Sequence, residues 1–438
     1  MTAGGPTLST ALSESDARAY SANINRFYLF RFFIDFQLWL PIWVIYLIDE
    51  RGLSLTQVTA LDAPFWLLLI VMEVPTGAVA DRWGRKASLS YGAAINAVAV
   101  IVFGLAGNFV LLLFSYMIWA VAWTLFSGAD AAFFYDSLRV LGREGEYQKL
   151  WGRMRAVQSS GAILGLALGA PLAAMTTLWV PVVGSGALIV VAWGITLTFR
   201  EPPRFVDGEE QLGYLAGTKQ AFRIAFGRPA VRAMLLFAAV VMGIGVSMQI
   251  LAQPFLASHA VGYGNFGWFL IPGQLLAIGL SLAAYRVTAA IGLSRVIVLM
   301  PLLVLTTAVG LGAFDHLGAF AFYPLTTMVF AMSFPVISDY LNRRIPSSSR
   351  ATILSIYSLL FSLMVAGMEP LMGAVGDAQG LPIAYRTAAI AMAVIGAPLL
   401  ALWLRENRRE VLADGEAEGT DAEQTNPGES GPEPAPRS

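Results

Sequence analysis

Twelve stretches of about twenty mostly apolar residues follow one another along the chain, near 24–48, 55–80, 87–107, 109–138, 154–176, 178–199, 230–256, 266–290, 294–314, 319–341, 350–375 and 383–404. Each is long enough to cross roughly 30 Å of hydrocarbon as a helix. None alternates apolar with polar residues as a barrel strand does. The first twenty residues are polar, with no cleavable leader, and the stretch from 405 onward is acidic and rich in Gly and Pro, which predicts a disordered end. A longer break, 200–229, opens with Arg200-Glu201-Pro202-Pro203 and divides the crossings six and six, with a surface amphipathic helix expected near 211–226. The predicted organisation is a tail (1–20), a six-helix bundle (21–199), a central loop (200–229), a second six-helix bundle (230–404) and an acidic tail (405–438).

Lys and Arg set the orientation, because basic loops stay on the cytoplasmic side. The loops 81–86, 139–155, 200–232, 286–295 and 343–350 hold 19 of the 28 basic residues. The opposite short loops hold only Arg51 and Arg386. Both termini are therefore expected in the cytoplasm, with the chain in the cell (inner) membrane. Composition agrees: 57% of residues are apolar, 13% are charged, and mean hydropathy is +0.65. These values exclude a disordered chain and a coiled coil, and the absence of cysteine excludes a disulfide scaffold. A net charge of −1 gives no pull on nucleic acid, and two histidines, His259 and His316, argue against a histidine metal site. No P-loop, zinc spacing, nucleophile elbow or dinucleotide fingerprint occurs, so neither an enzyme nor a resident cofactor or metal is expected.

The halves repeat. Asp136-Ser137-Leu138-Arg139 ends crossing four and Asp339-Tyr340-Leu341-Asn342-Arg343 ends crossing ten, an offset of 203 residues. The following crossings start at Arg153-Met154-Arg155-Ala156 and Arg350-Ala351, and reach Pro171 and Pro370 in their outer halves. Duplicated units of this kind place a binding site near the membrane midplane between them.

The most informative segment is Gly77-Ala78-Val79-Ala80-Asp81-Arg82-Trp83-Gly84-Arg85-Lys86, between crossings two and three. Gly77 permits close helix approach, Gly84 a turn at positive φ, and Asp81 can cap or face a helix N-terminus. Arg82, Arg85 and Lys86 hold the loop on the cytoplasmic side. With this loop and twelve crossings, residues 20–405 resemble the major facilitator superfamily, whose signature loop is G-x-x-x-D-R-x-G-R-K. The resemblance implies an all-α membrane protein of two pseudo-symmetric six-helix bundles. It implies that Asp81 looks toward the N-terminus of crossing eleven at Arg350, that Arg85 pairs with Asp136, and that this set latches one conformational state. The second copy is degraded: Gly292 aligns with Gly84, which puts Ala289 in the place of Asp81.

Acids inside a membrane are costly and are functional candidates. Asp35 lies roughly 16 Å along crossing one, with Arg31 one turn before it on the same face. The pair is read either as a proton site or as a fixed structural ion pair. Glu73, before Val74-Pro75, and Asp130, among Ser127-Gly128-Ala129, are candidate proton relays or hydrogen-bonded structural acids. Glu369 adjoins Pro370, and Asp62 sits near the outer surface, where water alone would explain it. Gly161, Gly165 and Gly169 precede Ala170-Pro171 in crossing five, similar to the antiporter motif of the superfamily, although helix packing alone accounts for them. Crossing four lacks the basic residue usual in its drug exporters. Candidate substrate-binding residues are Arg31, Gln37, Trp123, Gln249, Gln253, Tyr357 and Glu369, and Trp39, Trp43, Trp119 and Gln274 add to the aromatic and amide inventory. Arg31 is the only deep cation, which disfavours a multiply anionic substrate. The first expectation is a monomeric proton-coupled transporter exporting a small amphipathic or cationic organic compound. The alternatives are an uptake symporter or facilitator for a neutral metabolite, and a non-transporting receptor or lipid-handling protein.

Overall fold

The structure is a computed structural model that describes residues 13–203, 222–346 and 349–424. Among these residues it is helical with no strand, and eleven helices are long and apolar enough to cross a membrane. The first half contains α1 (Glu14–Asp35), α2 (Leu55–Trp83), α3 (Arg85–Leu105), α4 (Phe109–Phe126), α5 (Ala129–Val140), α6 (Tyr147–Met175) and α7 (Trp179–Leu197). The second contains α8 (Pro229–Gln249), α9 (Ala252–Ser258), α10 (Phe266–Ile291), α11 (Leu293–Ala313), α12 (Pro324–Asn342), α13 (Arg350–Gln379), α14 (Leu381–Ala391) and α15 (Ala397–Gln424).

The segment missing from the eleven is the first predicted crossing. It still runs from face to face: Asp16 pairs with Arg200 at 3.3 Å on the face of the basic loops, and Leu40 meets Gln253 near the opposite face. Its polar residues, Asn23, Arg26, Arg31 and Asp35, take it out of the apolar class. It is also broken, since α1 ends at Asp35 and a short helix resumes only at Trp43. Crossing four breaks at Ser127-Gly128, where Gly128 takes φ +72°, and crossing seven breaks at Ile250-Leu251.

Caps set other boundaries. Ser54 and Gln57 form a reciprocal capping box at the start of α2, and Asn108 accepts from the Leu111 amide at 2.9 Å at the start of α4. Inside the first bundle Phe27 stacks among Phe133, Phe134 and Trp151. In the second, Trp403 is fully buried against Phe237 and Tyr340. Arg344 covers the Tyr340 ring and pairs with Glu410 at 3.1 Å, which ties the last helix to the basic-loop face, where the N-terminal helix also starts.

One boundary differs from the sequence reading. The last helix continues to Gln424, although disorder is expected from residue 405. The segment contains Arg405, Glu406, Leu412 and Ala413 and no proline, and these strong helix formers extend the helix. Residues 425–438 and most of the amphipathic helix expected near 211–226 lie outside the described residues.

Candidate functional site

The two bundles meet through α2 against α13 and α6 against α10. The hydrogen bonds that join them among the described residues lie on the face opposite the basic loops, here called the far face. Gln253 spends its whole amide there. Its Oε1 accepts from the Val44 amide at 2.9 Å and its Nε2 donates to the Leu40 carbonyl at 2.9 Å, in the stretch where α1 has broken. Asp377, near the end of α13, accepts from the Leu55 and Thr56 amides at 3.0 and 2.8 Å and from the Thr56 hydroxyl at 2.6 Å. An acid of one bundle thus caps a helix of the other. Small residues bring the backbones together, since a Cβ on Gly267 would collide with the Leu166 carbonyl and one on Gly373 with the Thr59 hydroxyl.

A helix-capping acid stabilises by about 0.5–2 kcal/mol, a factor of about 3 to 30. Asp377→Ala is therefore expected to raise the rate at which a membrane-impermeant maleimide reaches Thr59→Cys from the far face by that factor. An unchanged rate would show that the cap does not hold the far side shut.

Behind this closure a cavity of about 280 Å³ lies between the bundles. Trp43, Asp62 and Trp66 line it from the first bundle, and Gln249, Gln274 and Glu369 from the second. Among the described residues, no Lys, Arg or His lines it. Asp62 and Glu369 thus enter one cavity wall from opposite bundles. Glu369 is only 2% exposed, and its Oε2 has no hydrogen-bond partner among the described residues.

Nearer the basic-loop face, inside the first bundle, Arg31 bridges two acids, Asp35 at 3.0 Å and Asp130 at 2.9 Å. Asp35 also accepts from Gln158 at 3.1 Å, and Gln158 accepts from Arg155 at 2.8 Å. The glycines of α6 explain why α1 can stop here. A Cβ on Gly161 would meet the Phe32 carbonyl at 2.7 Å, one on Gly165 the Gln37 carbonyl at 2.6 Å, and one on Gly169 would collide with the Leu38 carbonyl. The glycine run is thus a smooth face for irregular backbone, which packing alone accounts for.

The signature loop is held by an acid that the sequence reading noted only at the opening of the central break. The Glu201 carboxylate accepts from the Arg85 and Lys86 amides at 2.8 and 2.7 Å, at the N-terminus of α3. Gly84 sits at φ +99°, and a Cβ there would lie 2.7 Å from the Glu201 carboxylate, so glycine serves both the turn and the approach. Arg85 pairs with Asp136 at 3.0 Å, as the resemblance implies. Lys86 donates to the Leu197 carbonyl at 3.0 Å, while Asp81 and Arg82 are exposed at the end of α2. The Arg350 guanidinium donates to the Asn342 carbonyl of its own bundle at 3.0 Å.

Of the candidate binding residues, Gln249, Gln253 and Glu369 line the cavity. Gln249 and Gln253 do not share one continuous helix, because the chain breaks between them. Arg31 belongs to the acid cluster instead. Gln37 donates to the Ile34 carbonyl at 3.3 Å, Trp123 is half-exposed against Phe65, and Tyr357 stacks on Phe361; none of the three lines the cavity. Glu73 is exposed on an unbroken α2. The sequence reading underrated Asp62 and passed over Asp377. The signal for Asp377 was present: Gly373-Ala374-Val375-Gly376-Asp377-Ala378-Gln379-Gly380 repeats the spacing of Gly77 to Gly84, and Gly380 takes φ +90°, close to that of Gly84.

The profile of the Major Facilitator Superfamily matches residues 27–368. An uncharacterized MFS-type transporter YxaM of Bacillus subtilis (strain 168) is 21% identical over 367 residues, which are 80% of this chain and 88% of that protein. Multidrug resistance protein 1 of the same organism is 28% identical over 177 residues, 40% of this chain and 44% of its own length. Among solved structures, a variant of the nucleoside transporter NupG superposes with a TM-score of 0.71 at 15% identity, covering 87% of this chain and 99% of that one. A bacterial homolog of the human lysosomal transporter Spinster, inward-facing and unoccupied, gives 0.68 at 18% identity, covering 89% and 97%. At these identities the structural likeness speaks for the fold alone. Profile, relatives and a helical architecture of two bundles around one cavity agree: the chain is a multi-pass membrane transporter belonging to the Major Facilitator Superfamily.

Proposed function

We propose that the protein is a proton-coupled secondary transporter that exports a small amphipathic or cationic organic compound by alternating access. The observation that carries this reading is the cavity between the bundles, lined by Trp43 and Trp66 and by the acids Asp62 and Glu369, with no basic side chain among the described residues. Aromatic faces and carboxylates attract an organic cation, and a dry aromatic wall accepts its apolar part. The far-face contacts support a reading in which that entrance is closed and the cavity loads from the basic-loop side, as an exporter requires. The chain is read as a monomer in the cell membrane with both termini cytoplasmic, in line with the basic loops and with the positions of α1 and α15. The multidrug relatives support export, although each matches less than half of its own length.

Arg31, Asp35 and Asp130 are assigned a proton-relay role. One guanidinium bridges two carboxylates of different helices, which places both acids where a proton could pass between them. Gln158 and Arg155 carry the polar chain onward from Asp35. The signature loop, with Asp81, Arg82, Arg85 and Lys86, and its partners Asp136 and Arg350, would latch the opposite state. In membrane vesicles, substrate-dependent proton movement is expected to fall at least about tenfold in Asp35→Asn, the size of effect usual for losing one proton-transfer group. Unchanged coupling in that variant would remove Asp35 from the mechanism.

A further inference from the structure

Residues 252–265, which join crossing seven to crossing eight on the far face, reach the first bundle near both of their ends. Gln253 holds the Leu40 carbonyl and the Val44 amide, and the Tyr263 hydroxyl donates to the Asp49 carboxylate. Between these two contacts the strap is anchored to its own bundle by His259. The ring lies 4.3 Å from that of the buried Phe255, and oxygen meets both of its nitrogens. Nδ1 is 2.8 Å from the Phe255 carbonyl and 3.2 Å from the Ser258 hydroxyl, whose own hydrogen is donated to the same carbonyl at 2.8 Å. Nε2 faces the Asp315 carboxylate at 3.4 Å. A neutral imidazole carries one N–H, so either tautomer turns a lone pair on an oxygen, whereas the imidazolium donates on both sides. The next residue, Ala260, takes φ +57°, a region that residues with a Cβ seldom occupy, so the turn leans on this anchor.

We propose that His259 is a pH switch for this strap. Charged, it fixes residues 252–265 on the second bundle so that Gln253 and Tyr263 hold the first; on losing its proton it releases them. Histidine is the side chain whose charge changes between about pH 5 and 8, so acid on the far side favours a closed far entrance and rising pH loosens it. Of the other titratable groups around it, Tyr323 and Tyr385 pack behind the Phe320 and Phe255 rings, and Arg386 donates to the Gly312 carbonyl at 2.7 Å. His316 packs against Phe314, and Asp49 accepts from Tyr263. This regulation rests on the reading of the far-face contacts as a closable entrance. It is separate from the cluster of Arg31, Asp35 and Asp130, which lies nearer the basic-loop face.

The test uses the full chain in lipid nanodiscs. The sequence has no cysteine, so Thr177→Cys and Gln379→Cys, exposed at the far face on the first and the second bundle, carry spin labels that report the separation. From about pH 8 to about pH 5 the ratio of closed to open molecules is expected to rise about three- to fivefold. That is what an ion pair with one exposed partner supports, and Asp315 is 78% exposed. In H259Q the ratio should not move with pH. D315N guards against misfolding of that variant: its amide can donate to a neutral Nε2, so both charge states are satisfied and the response should vanish there too. D35N should respond like wild type. A wild type that ignores pH, or an H259Q or D315N chain that responds like it, would overturn the switch. A response lost in D35N and kept in H259Q would assign the pH dependence to the acid cluster and overturn it equally. Labelling of Gln274→Cys from the far face judges the entrance separately. A spin-label response that depends on His259 without any change in that labelling keeps the histidine switch and removes the closable entrance.

Discussion

Arg31→Met is expected to destabilise the purified protein by about 3 kcal/mol, the usual cost of removing one partner of a buried ion pair. The reason is the local charge. Arg31 is 13% exposed and is bonded to both Asp35 and Asp130, each about one-fifth exposed. Methionine keeps the packing volume and leaves two carboxylates close together with no cation in direct contact, Arg155 reaching Asp35 only through Gln158. The triple variant Arg31→Met/Asp35→Asn/Asp130→Asn should regain most of the loss, because amides carry no charge to compensate. Equilibrium unfolding in a denaturing detergent measures both variants against wild type. An Arg31→Met variant as stable as wild type would show that water reaches the cluster freely, and the proton-relay assignment would lose its physical basis.

The second large effect concerns glycine. Gly267 on α10 and Gly169 on α6 would each drive a Cβ into a backbone carbonyl, of Leu166 and Leu38 respectively. Backbone in a packed helix cannot turn aside as a flexible side chain can, so the overpacking cost sits near the upper end of the usual range, about 3 kcal/mol. The two sites differ in what they join. Gly169 packs against the broken stretch of its own bundle, and Gly169→Val should lower folding yield. Gly267 packs between the bundles, and Gly267→Val should leave both bundles folded while penalising far-side closure, with transport falling roughly a hundredfold at near-normal expression. Equal damage to folding by the two substitutions would contradict the assignment of the α6–α10 contact to closure.

The architecture was legible because a membrane imposes long apolar runs and sorts the loops by charge. Eleven of the twelve runs became helices of the expected kind. The first was harder, because its irregular stretch is stabilised by the glycine face of α6, a partner more than a hundred residues away. The Arg85–Asp136 pair followed from the resemblance, and the Arg31–Asp35 pair from helical spacing. Arg31 also reaching Asp130 needed the crossing of α1 and α5 in space, which no single helix period encodes. Asp62 was misjudged for the same reason. Counted along α2 it lies near the surface, yet α2 packs on α13 and Asp62 lines the cavity between the bundles together with Glu369. Glu201 was hidden in a helix stop whose second role, capping α3, depends on Gly84 folding back toward it. Asp377 was the avoidable omission, since its glycine spacing copies that of the signature loop.

The central claim is that one cavity between two bundles opens to the two sides of the membrane in turn. Its most direct test is a single cysteine at Gln274, in the cavity wall, probed in oriented vesicles with a membrane-impermeant thiol reagent applied to one face and then to the other. The account predicts labelling from both faces, faster from the basic-loop side in the resting protein and slowed from the far side at acid pH. Labelling from one face only, under every condition of pH and ligand, would contradict it.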